Sequence, residues 1–544
     1  MVHPIVLIPG LAGSRLKTHN KTESPEEGVT GGGLWLGADM APPTGQRSQK
    51  VDEQTDVEYP PSNIVGLNAP VYATKAALST EDPVVTNWKK NLKLKDHNGI
   101  TPEVEEDQNP QLPKDDPAIQ FNRFVDGLDG IANLLVNYEL VDVVGSTQPA
   151  VKKVNYFYEL AAALFNTPQY RGDLDILPKN IIAAPYDWRT GPAGLQQRYQ
   201  YFSNLKSDIE KLYKPNPLTP GIPVVIIAQS LGNRVTQYFL EWVKNNDLND
   251  GKLWGQAWID KHIERYIAVS APWLGAPLAI RLTATDDGFN LGGASLSGIK
   301  NVLQSFSSIP WLLPATETQY QYFNTQGQFG FVRKEGVDPG QSVDPSYYTP
   351  ETIENTLILG GAENTTLKYI EDYEQDPNFS AGEFGSKAIT SPPVKNIDVI
   401  YSTGFNTPVG AYYYQEEGKL KVASYLGNET ENLQPVEDGD FVVINGVRFE
   451  KADKTTQLIS DDGITNSGDG VVPYGSLAYF KRWTNNPDVP GQKITGYPFV
   501  KTEPTEDEAK LGIDLSHNSI IRHPEAIKLI FNLLGISKFN ISND

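Results

Sequence analysis

The feature that most constrains the fold of this chain is an apolar run that ends in a turn of small residues. This turn passes directly into a helical pattern. Residues 223–228 predict a buried central strand, and residues 234–243 predict a helix. The turn between them contains Ala228-Gln229-Ser230-Leu231-Gly232, which departs from the pattern G-x-S-x-G only at its first position. A strand-to-helix turn this tight requires small neighbours and lifts the serine hydroxyl above the carboxyl edge of the sheet. The sequence therefore predicts a β-turn-α unit that presents Ser230.

Strand and helix patterns alternate along the rest of the chain. Strand patterns occupy residues 5–8, 180–189, 263–270 and 396–401, helical patterns occupy residues 156–164, 196–212 and 524–534, and residues 441–449 predict a hairpin. This alternation predicts an α/β protein with a mostly parallel central sheet, as in the α/β-hydrolase fold. We expect a single domain over residues 1–544, with a lid-type insertion at residues 17–120 and a cap insertion at residues 281–393.

Composition narrows the classes of partner and cofactor. The 67 acidic and 46 basic side chains give a net charge of −21, which should repel nucleic acid. The chain has no cysteine, so disulfides, thiolate metal ligands and cysteine nucleophiles are excluded. The acidic tract at residues 103–107 does not have the spacing of a calcium loop, and we expect no required metal or cofactor.

The hydropathy of the chain predicts no membrane anchor. No stretch approaches the roughly 18 apolar residues of a transmembrane helix. Residues 1–8 have no basic region and no apolar run long enough for a signal peptide. We therefore expect a soluble protein that is either cytoplasmic or secreted after removal of a signal, and the sequence leaves both compartments open.

A serine hydroxyl is a weak nucleophile at neutral pH, so Ser230 needs an imidazole to accept its proton and a carboxylate to orient that imidazole. In α/β-hydrolases the chain order is serine, acid, histidine. Only His517 and His523, of six histidines, lie far enough downstream of Ser230. His517 lies in a loop before the last helical pattern, whereas His523 directly precedes Pro524 and suits a helix boundary. We predict His517 as the base.

The predicted acid is Asp469, because Gly468 and Gly470 flank it and allow its side chain to project into a site. Asp461 and Asp462 also precede His517, but they lie in a more ordinary acidic turn and are the weaker candidates.

An oxyanion hole needs two backbone donors, one after the nucleophile and one in the loop after an early strand. Leu231 and Leu11 occupy these positions, Leu11 within Pro9-Gly10-Leu11-Ala12-Gly13. A simple structural turn is the alternative interpretation of that glycine-rich segment.

Five separated blocks of the sequence resemble the lecithin:cholesterol acyltransferase family, which includes lysosomal phospholipase A and the phospholipid:diacylglycerol acyltransferases. They are His3-Pro4-Ile5-Val6-Leu7-Ile8-Pro9-Gly10, Ala184-Pro185-Tyr186-Asp187-Trp188-Arg189, Ala228-Gln229-Ser230-Leu231-Gly232-Asn233, Gly404-Phe405-Asn406-Thr407-Pro408 and Gly468-Asp469-Gly470-Val471-Val472. The second block is the most specific. The resemblance implies a lipid acyl hydrolase or O-acyltransferase that uses a Ser-His-Asp triad and an acyl-enzyme on phospholipid or related acyl esters, at a membrane or micelle surface.

The chain departs from that family in three respects. Without cysteine it cannot pin a lid with the disulfide that the family often has. Position 229 carries glutamine where the family usually has histidine. Residues 281–393 differ from the family's cap, so acyl and head-group preferences do not transfer.

Four tryptophans, Trp35, Trp188, Trp273 and Trp311, are candidate substrate contacts. Aromatic residues more often fill a core, and that alternative applies to each of them.

Two other functions stay open at this point. The first is a carboxylesterase or triacylglycerol lipase that acts on neutral esters with the same triad. The second is a catalytically silent α/β-hydrolase scaffold that binds a ligand or protein, although such a scaffold has no need of serine, acid, base and small turn residues together.

Overall fold

A computed structural model describes the parts of the chain that build the sheets and the candidate site. The described residues are 2–11, 13–14, 133–143, 146–170, 180–214, 220–246, 253–286, 299–314, 330–333, 349–380, 387, 390–422, 436–438, 440–444, 446–452, 467–483, 486–506, 508 and 513–536.

The described strands are β1 (Ile5–Ile8), β2 (Asn133–Val143), β3 (Ser146–Asn155), β4 (Ile181–Ala183), β5 (Val224–Gln229), β6 (Ile263–Val269), β7 (Gly330–Arg333), β8 (Asn396–Thr403), β9 (Thr407–Glu416), β10 (Lys419–Val422), β11 (Val436–Asp438), β12 (Phe441–Ile444), β13 (Val447–Glu450) and β14 (Lys493–Val500). The described α-helices are α1 (Tyr158–Phe165), α2 (Pro192–Tyr199), α3 (Tyr201–Tyr213), α4 (Leu231–Asn245), α5 (Gly255–His262), α6 (Leu278–Ala284), α7 (Ile299–Gln304), α8 (Pro350–Leu359), α9 (Thr366–Glu374), α10 (Tyr474–Leu477) and α11 (Pro524–Leu533). Short 3₁₀ turns lie at Ile309–Leu312, Tyr479–Arg482 and Ile520–Arg522.

Six strands form one parallel sheet in the order β14-β8-β6-β5-β1-β4. The central pairing aligns Ile5–Ile8 with residues 225–228, so the loops that follow β1 and β5 leave the sheet side by side. Their carboxyl ends meet at one edge, where parallel α/β sheets usually place a site. The predicted α/β fold with a parallel sheet is confirmed.

Both faces of this sheet are buried, because successive side chains of a strand point to opposite faces. On β1, Val6 and Ile8 join one hydrophobic cluster, whereas Ile5 and Leu7 join the other. The first cluster packs beneath α3, α4 and α5, and the second packs beneath α1 and α11. Near-continuous apolar strands of this kind explain why β1 and β5 were predictable from sequence.

The helical pattern predicted at residues 196–212 is interrupted, because Gln200 has a φ of 50° and separates α2 from α3. The side-chain oxygen of Gln196 accepts hydrogen bonds from the amides of Phe202 (3.1 Å) and Ser203 (3.3 Å). These bonds satisfy amides that the first turn of a helix leaves without partners, so the break is stable.

A second, mostly antiparallel sheet consists of five strands that lie between β8 and β14 in the chain, together with β7, which precedes β8. Its order is β10-β9-β13-β12-β11, and β7 pairs with β9 in parallel. It includes the hairpin predicted at residues 441–449, as β12 and β13.

The two predicted insertions differ in how far the structure describes them. The lid-type segment at residues 17–120 lies outside the described residues. The cap segment at residues 281–393 is described in part and contains α7, α8, α9 and β7. Its role as a cap stays a prediction. Among the described helices, none is long and apolar enough to cross a membrane.

Candidate active site

Ser230 lies at the strained turn between β5 and α4. Its backbone has φ 52° and ψ −127°, a region that a non-glycine residue occupies only at an energetic cost of roughly 1–3 kcal/mol. A Cβ at Gly232 would overlap the carbonyl oxygens of Pro9 and Ile8. A Cβ at Gly10 would lie 2.8 Å from the Cβ of Ser230. The small residues at these positions therefore allow β1 and its loop to pack directly against the serine turn.

The structure brings Ser230, His517 and Asp469 into one chain of hydrogen bonds. His517 Nε2 lies 2.8 Å from Ser230 Oγ, and His517 Nδ1 lies 2.6 Å from Asp469 Oδ2. Asp469 is fully buried and His517 is 3% exposed. With a proton on Nδ1 facing the carboxylate, Nε2 of the neutral imidazole is left free to accept the hydroxyl proton.

Backbone amides orient the carboxylate of Asp469. Its Oδ1 accepts hydrogen bonds from the amides of Val471 (3.1 Å) and Val472 (2.9 Å), which leaves Oδ2 for His517. The amide of His517 in turn donates to the carbonyl oxygen of Asp469 at 3.0 Å. Acid and base are thus joined through both side chains and backbone.

The antiparallel sheet holds the loop that carries Asp469, here called the acid loop, in place. Glu450 ends β13, and its Oε1 accepts hydrogen bonds from the amides of Gly468 (2.5 Å) and Tyr474 (2.8 Å). Thr407 begins β9, and its Oγ1 accepts a hydrogen bond from the amide of Gly470 at 2.9 Å. The backbone on either side of Asp469 is therefore tied to that sheet.

Gln229 links the serine turn to the base. Its side-chain amide donates to the carbonyl oxygen of His517 at 2.9 Å, and its oxygen accepts a hydrogen bond from the hydroxyl of Tyr156. That hydroxyl accepts a hydrogen bond from the amide of Gly10 at 2.9 Å. All four residues are buried. Burial raises the pKa of the Tyr156 phenol far above its ordinary value, so this hydroxyl stays protonated.

The two predicted oxyanion donors lie in the turns that follow the paired strands β5 and β1. Leu231 is the first residue of α4, so its amide has no acceptor within the helix and lies at the positive end of the helix dipole. Leu11 follows Gly10 in the loop after β1 and is partly buried against the main hydrophobic cluster. The two amides belong to adjacent strand ends of the sheet.

The block Ala184-Pro185-Tyr186-Asp187-Trp188-Arg189 supports the loop after β1. Tyr186 donates its hydroxyl to the carbonyl oxygen of Pro9 (2.9 Å), and Trp188 donates its indole N–H to the carbonyl oxygen of Ser14 (3.0 Å). Asp187 and Arg189 form a fully buried ion pair at 2.7 Å. Only residues 181–183 of the strand predicted at residues 180–189 pair with β1, because this turn and its ion pair end the strand.

The tryptophans predicted as substrate contacts are core residues where the structure describes them. Trp188 packs edge-on against Phe306, Trp273 packs edge-on against Trp483, and Trp311 lies among aromatic side chains that include Tyr373. Trp273 and Trp311 are fully buried, and Trp188 is nearly so. Their contact with substrate stays a prediction, and Trp35 lies outside the described residues.

The weaker base candidate, His523, does not lie in this chain of hydrogen bonds. His523 is the N-cap residue of α11, as expected for a helix boundary, and its Nδ1 accepts a hydrogen bond from the amide of Glu525. Asp461 and Asp462 lie outside the described residues. Within the described part of the chain, no cluster of three or more His, Asp or Glu side chains is arranged to hold a metal ion.

Tyr156, Thr407 and Glu450 were missed from the sequence. Tyr156 lies in an ordinary helical pattern, and Glu450 is 18 residues from its partner Gly468. A signal existed only for Thr407, which belongs to the block Gly404-Phe405-Asn406-Thr407-Pro408 noted for its resemblance.

The family model of lecithin:cholesterol acyltransferase matches residues 106–516, about three quarters of the chain. The chain belongs to the lecithin:cholesterol acyltransferase family. Ser230 and Asp469 lie inside the matched range, His517 directly follows it, and Leu11 precedes it. Members of this family have the α/β-hydrolase fold, with which the six-stranded parallel sheet agrees.

Curated members of the lecithin:cholesterol acyltransferase family are similar over half or more of this chain. A phospholipid–sterol O-acyltransferase of Arabidopsis thaliana is 28% identical over 63% of the chain and 57% of its own length. The lysosomal phospholipase A and acyltransferase of Homo sapiens is 27% identical over 52% of the chain and 56% of its own length. A phospholipid:diacylglycerol acyltransferase of Schizosaccharomyces pombe is 38% identical over 65% of the chain and 57% of its own length. The chain thus spans a little over half the length of these relatives.

Proposed function

We propose that this protein is a serine-dependent lipid acyl hydrolase or O-acyltransferase that forms an acyl-enzyme on Ser230. The observation that supports this most is the contact of 2.8 Å between Ser230 Oγ and His517 Nε2, with Asp469 hydrogen-bonded to the opposite ring nitrogen. Such a geometry lets an imidazole remove the hydroxyl proton as the oxygen attacks an ester carbonyl. The names of the family relatives support a phospholipid as the acyl donor.

In the first half-reaction, Ser230 Oγ bonds to the carbonyl carbon while its proton moves to His517 Nε2. The carbonyl electron pair moves to oxygen, and the amides of Leu11 and Leu231 donate hydrogen bonds to the resulting oxyanion. When the oxyanion collapses, the ester bond breaks and the leaving alcohol takes the proton from His517. The products are a lysolipid and an ester on Ser230.

In the second half-reaction, His517 takes a proton from the acyl acceptor, whose oxygen bonds to the acyl carbon. Collapse releases the new product and returns the proton to Ser230 Oγ. Water as acceptor gives a free fatty acid, and an alcohol or sterol gives a new ester. The three residues serve either acceptor, so the choice depends on the surfaces that admit the acceptor rather than on the triad.

Product analysis separates these outcomes. Purified protein is incubated with diacyl phospholipid liposomes, with and without a long-chain alcohol, and Ser230→Ala is the blank. Free fatty acid that depends on Ser230 indicates a phospholipase, and alkyl ester that depends on Ser230 indicates an acyltransferase. If neither forms, triacylglycerol and short p-nitrophenyl esters test for the neutral-ester enzyme. If Ser230→Ala matches the wild type on every substrate, the proposal is wrong.

A further inference from the structure

Four buried residues next to the catalytic serine form a continuous chain of hydrogen bonds that the proposed reaction does not itself use. It runs from the amide of Gly10 to the hydroxyl of Tyr156, then to the side chain of Gln229, and ends at the carbonyl oxygen of His517. It connects the loop that presents Leu11 to the residue that would act as the base. Gln229 is 1% exposed and Tyr156 is 5% exposed, so water cannot readily replace these bonds.

The direction of each hydrogen bond follows from the chemistry of its two ends. A carbonyl oxygen can only accept, so the amide nitrogen of Gln229 must face His517 and its oxygen must face Tyr156. The phenol must then donate to Gln229, which leaves its oxygen lone pair to accept from Gly10. Every link therefore has one donor and one acceptor, and the chain has a single polarity.

The backbone of His517 is consequently held by hydrogen bonds to both its N–H and its C=O. Its N–H donates to the carbonyl oxygen of Asp469 at 3.0 Å, and its C=O accepts from Gln229 at 2.9 Å. The other end of the chain acts on the loop after β1, where a Cβ at Gly10 would lie 2.5 Å from Gln229 Oε1. Gln229 thus contacts both the loop after β1 and the backbone of His517, and it lies at the end of β5.

We propose that Gln229 and Tyr156 are positioning residues. They hold the loop after β1, which presents Leu11, and the base His517 at fixed positions relative to Ser230. This inference rests on the proposed function, since it assumes that His517 and Leu11 act on a substrate bound at Ser230. Displacement of a catalytic group by about 1 Å can reduce the rate roughly 100-fold. Loss of either residue should therefore lower kcat more than it raises KM.

The test compares Tyr156→Phe and Gln229→Met with Tyr170→Phe as the matched control. Tyr170 is also buried, and its hydroxyl donates to a backbone carbonyl, that of His3, at the opposite end of β1. The control should keep the wild-type kcat, whereas the other two variants should lose about 10- to 100-fold in kcat with little change in KM. Melting temperatures of all three variants separate positioning from a general loss of stability.

Two further variants give readouts that would stay unchanged if Gln229 had only a structural role. Gln229→His should recover most of the activity that Gln229→Met loses, because a neutral imidazole also offers one donor and one acceptor. Gln229→Glu can donate to His517 only while the carboxyl is protonated. Its kcat relative to the wild type should therefore fall as the pH rises.

Different results would overturn the positioning role and the proposed function. If Tyr156→Phe and Gln229→Met keep kcat within about twofold of wild type while Ser230→Ala is inactive, the positioning role is wrong and the proposed function stands. If the wild-type activity does not need Ser230, the proposed function itself is wrong. Should Tyr156→Phe not fold, the relative pH profile of Gln229→Glu decides, and a flat profile overturns the positioning role.

Discussion

Glu450 accepts a hydrogen bond of 2.5 Å from the amide of Gly468, the residue that directly precedes Asp469. Glu450 ends a strand of the antiparallel sheet, whereas Asp469 serves the site at the edge of the parallel sheet. The second sheet therefore has a direct structural link to the candidate acid.

We predict that Glu450→Ala weakens both activity and stability. The amides of Gly468 and Tyr474 would lose a buried acceptor, which costs about 1–3 kcal/mol for each unsatisfied group. Glu450→Gln keeps the oxygen that accepts both bonds, and it should retain most of the activity. Unfolding by denaturant and kcat on a phospholipid measure the two effects. Equal activities of the alanine variant and the wild type would show that the acid loop does not need Glu450.

Gly232→Ala should impair activity through the loop after β1. The added Cβ would overlap the carbonyl oxygens of Pro9 and Ile8, which are backbone atoms and cannot rotate away. We expect a loss in kcat of about tenfold or more, because the shift moves the loop that presents Leu11 relative to Ser230. Steady-state kinetics on the folded variant test this, and an unchanged kcat would mean that the contact with Pro9 does not set the position of the loop.

We predict that removal of one partner of the buried Asp187–Arg189 ion pair strongly destabilises the folded state. Both side chains are fully buried, and Tyr199 also donates to Asp187. Asp187→Ala would leave a buried guanidinium without its carboxylate, and we expect destabilisation of about 3–5 kcal/mol. The control is Asp208→Ala, whose partner Lys211 is 71% exposed and which should cost less than about 1 kcal/mol. Similar midpoints of denaturant unfolding for the two variants would contradict this.

Stability should fall as the pH is lowered below about 6.5, the ordinary pKa of histidine. Burial lowers the pKa of His523, and Glu508 opposes that shift only in part. The folded state therefore favours neutral His523, so the unfolded chain binds more protons and stability is lost as the pH falls through the unfolded pKa towards the folded one. His523→Asn keeps an N-cap acceptor for Glu525 and should reduce the slope of unfolding free energy against pH between 7 and 5.5. An unchanged slope would exclude His523 as a source of the pH dependence. His262, whose pKa is also lowered by burial, is still present in this variant.

Sequence predicted the parts of the fold whose signal is local. The apolar runs of β1 and β5 and the small residues of the serine turn gave their positions closely. In contrast β14 was missed, because it contains Gly496 and Pro498, which weaken a strand pattern. Its place at the edge of the sheet explains why the proline is tolerated.

In the candidate site, too, residues with a local sequence signal could be predicted, whereas residues that meet only in the folded chain could not. His517 could be selected because only two of six histidines lie far enough downstream of Ser230, and Asp469 because Gly468 and Gly470 flank it. Tyr156 and Gln229 could not be paired from sequence, since they lie 73 residues apart and their contact exists only after β1 and β5 have come together. Glu450 is likewise a charged residue in a hairpin until the fold buries it.

Mass spectrometric mapping of a fluorophosphonate adduct tests the central claim most directly. The reagent phosphonylates a serine that an adjacent base has activated. We predict a single modified peptide that contains Ser230, with much slower labelling of Asp469→Asn and His517→Ala and no labelling of Ser230→Ala. An enzyme that hydrolyses or transfers acyl groups while Ser230 stays unmodified, or that labels equally fast without His517, would contradict the account.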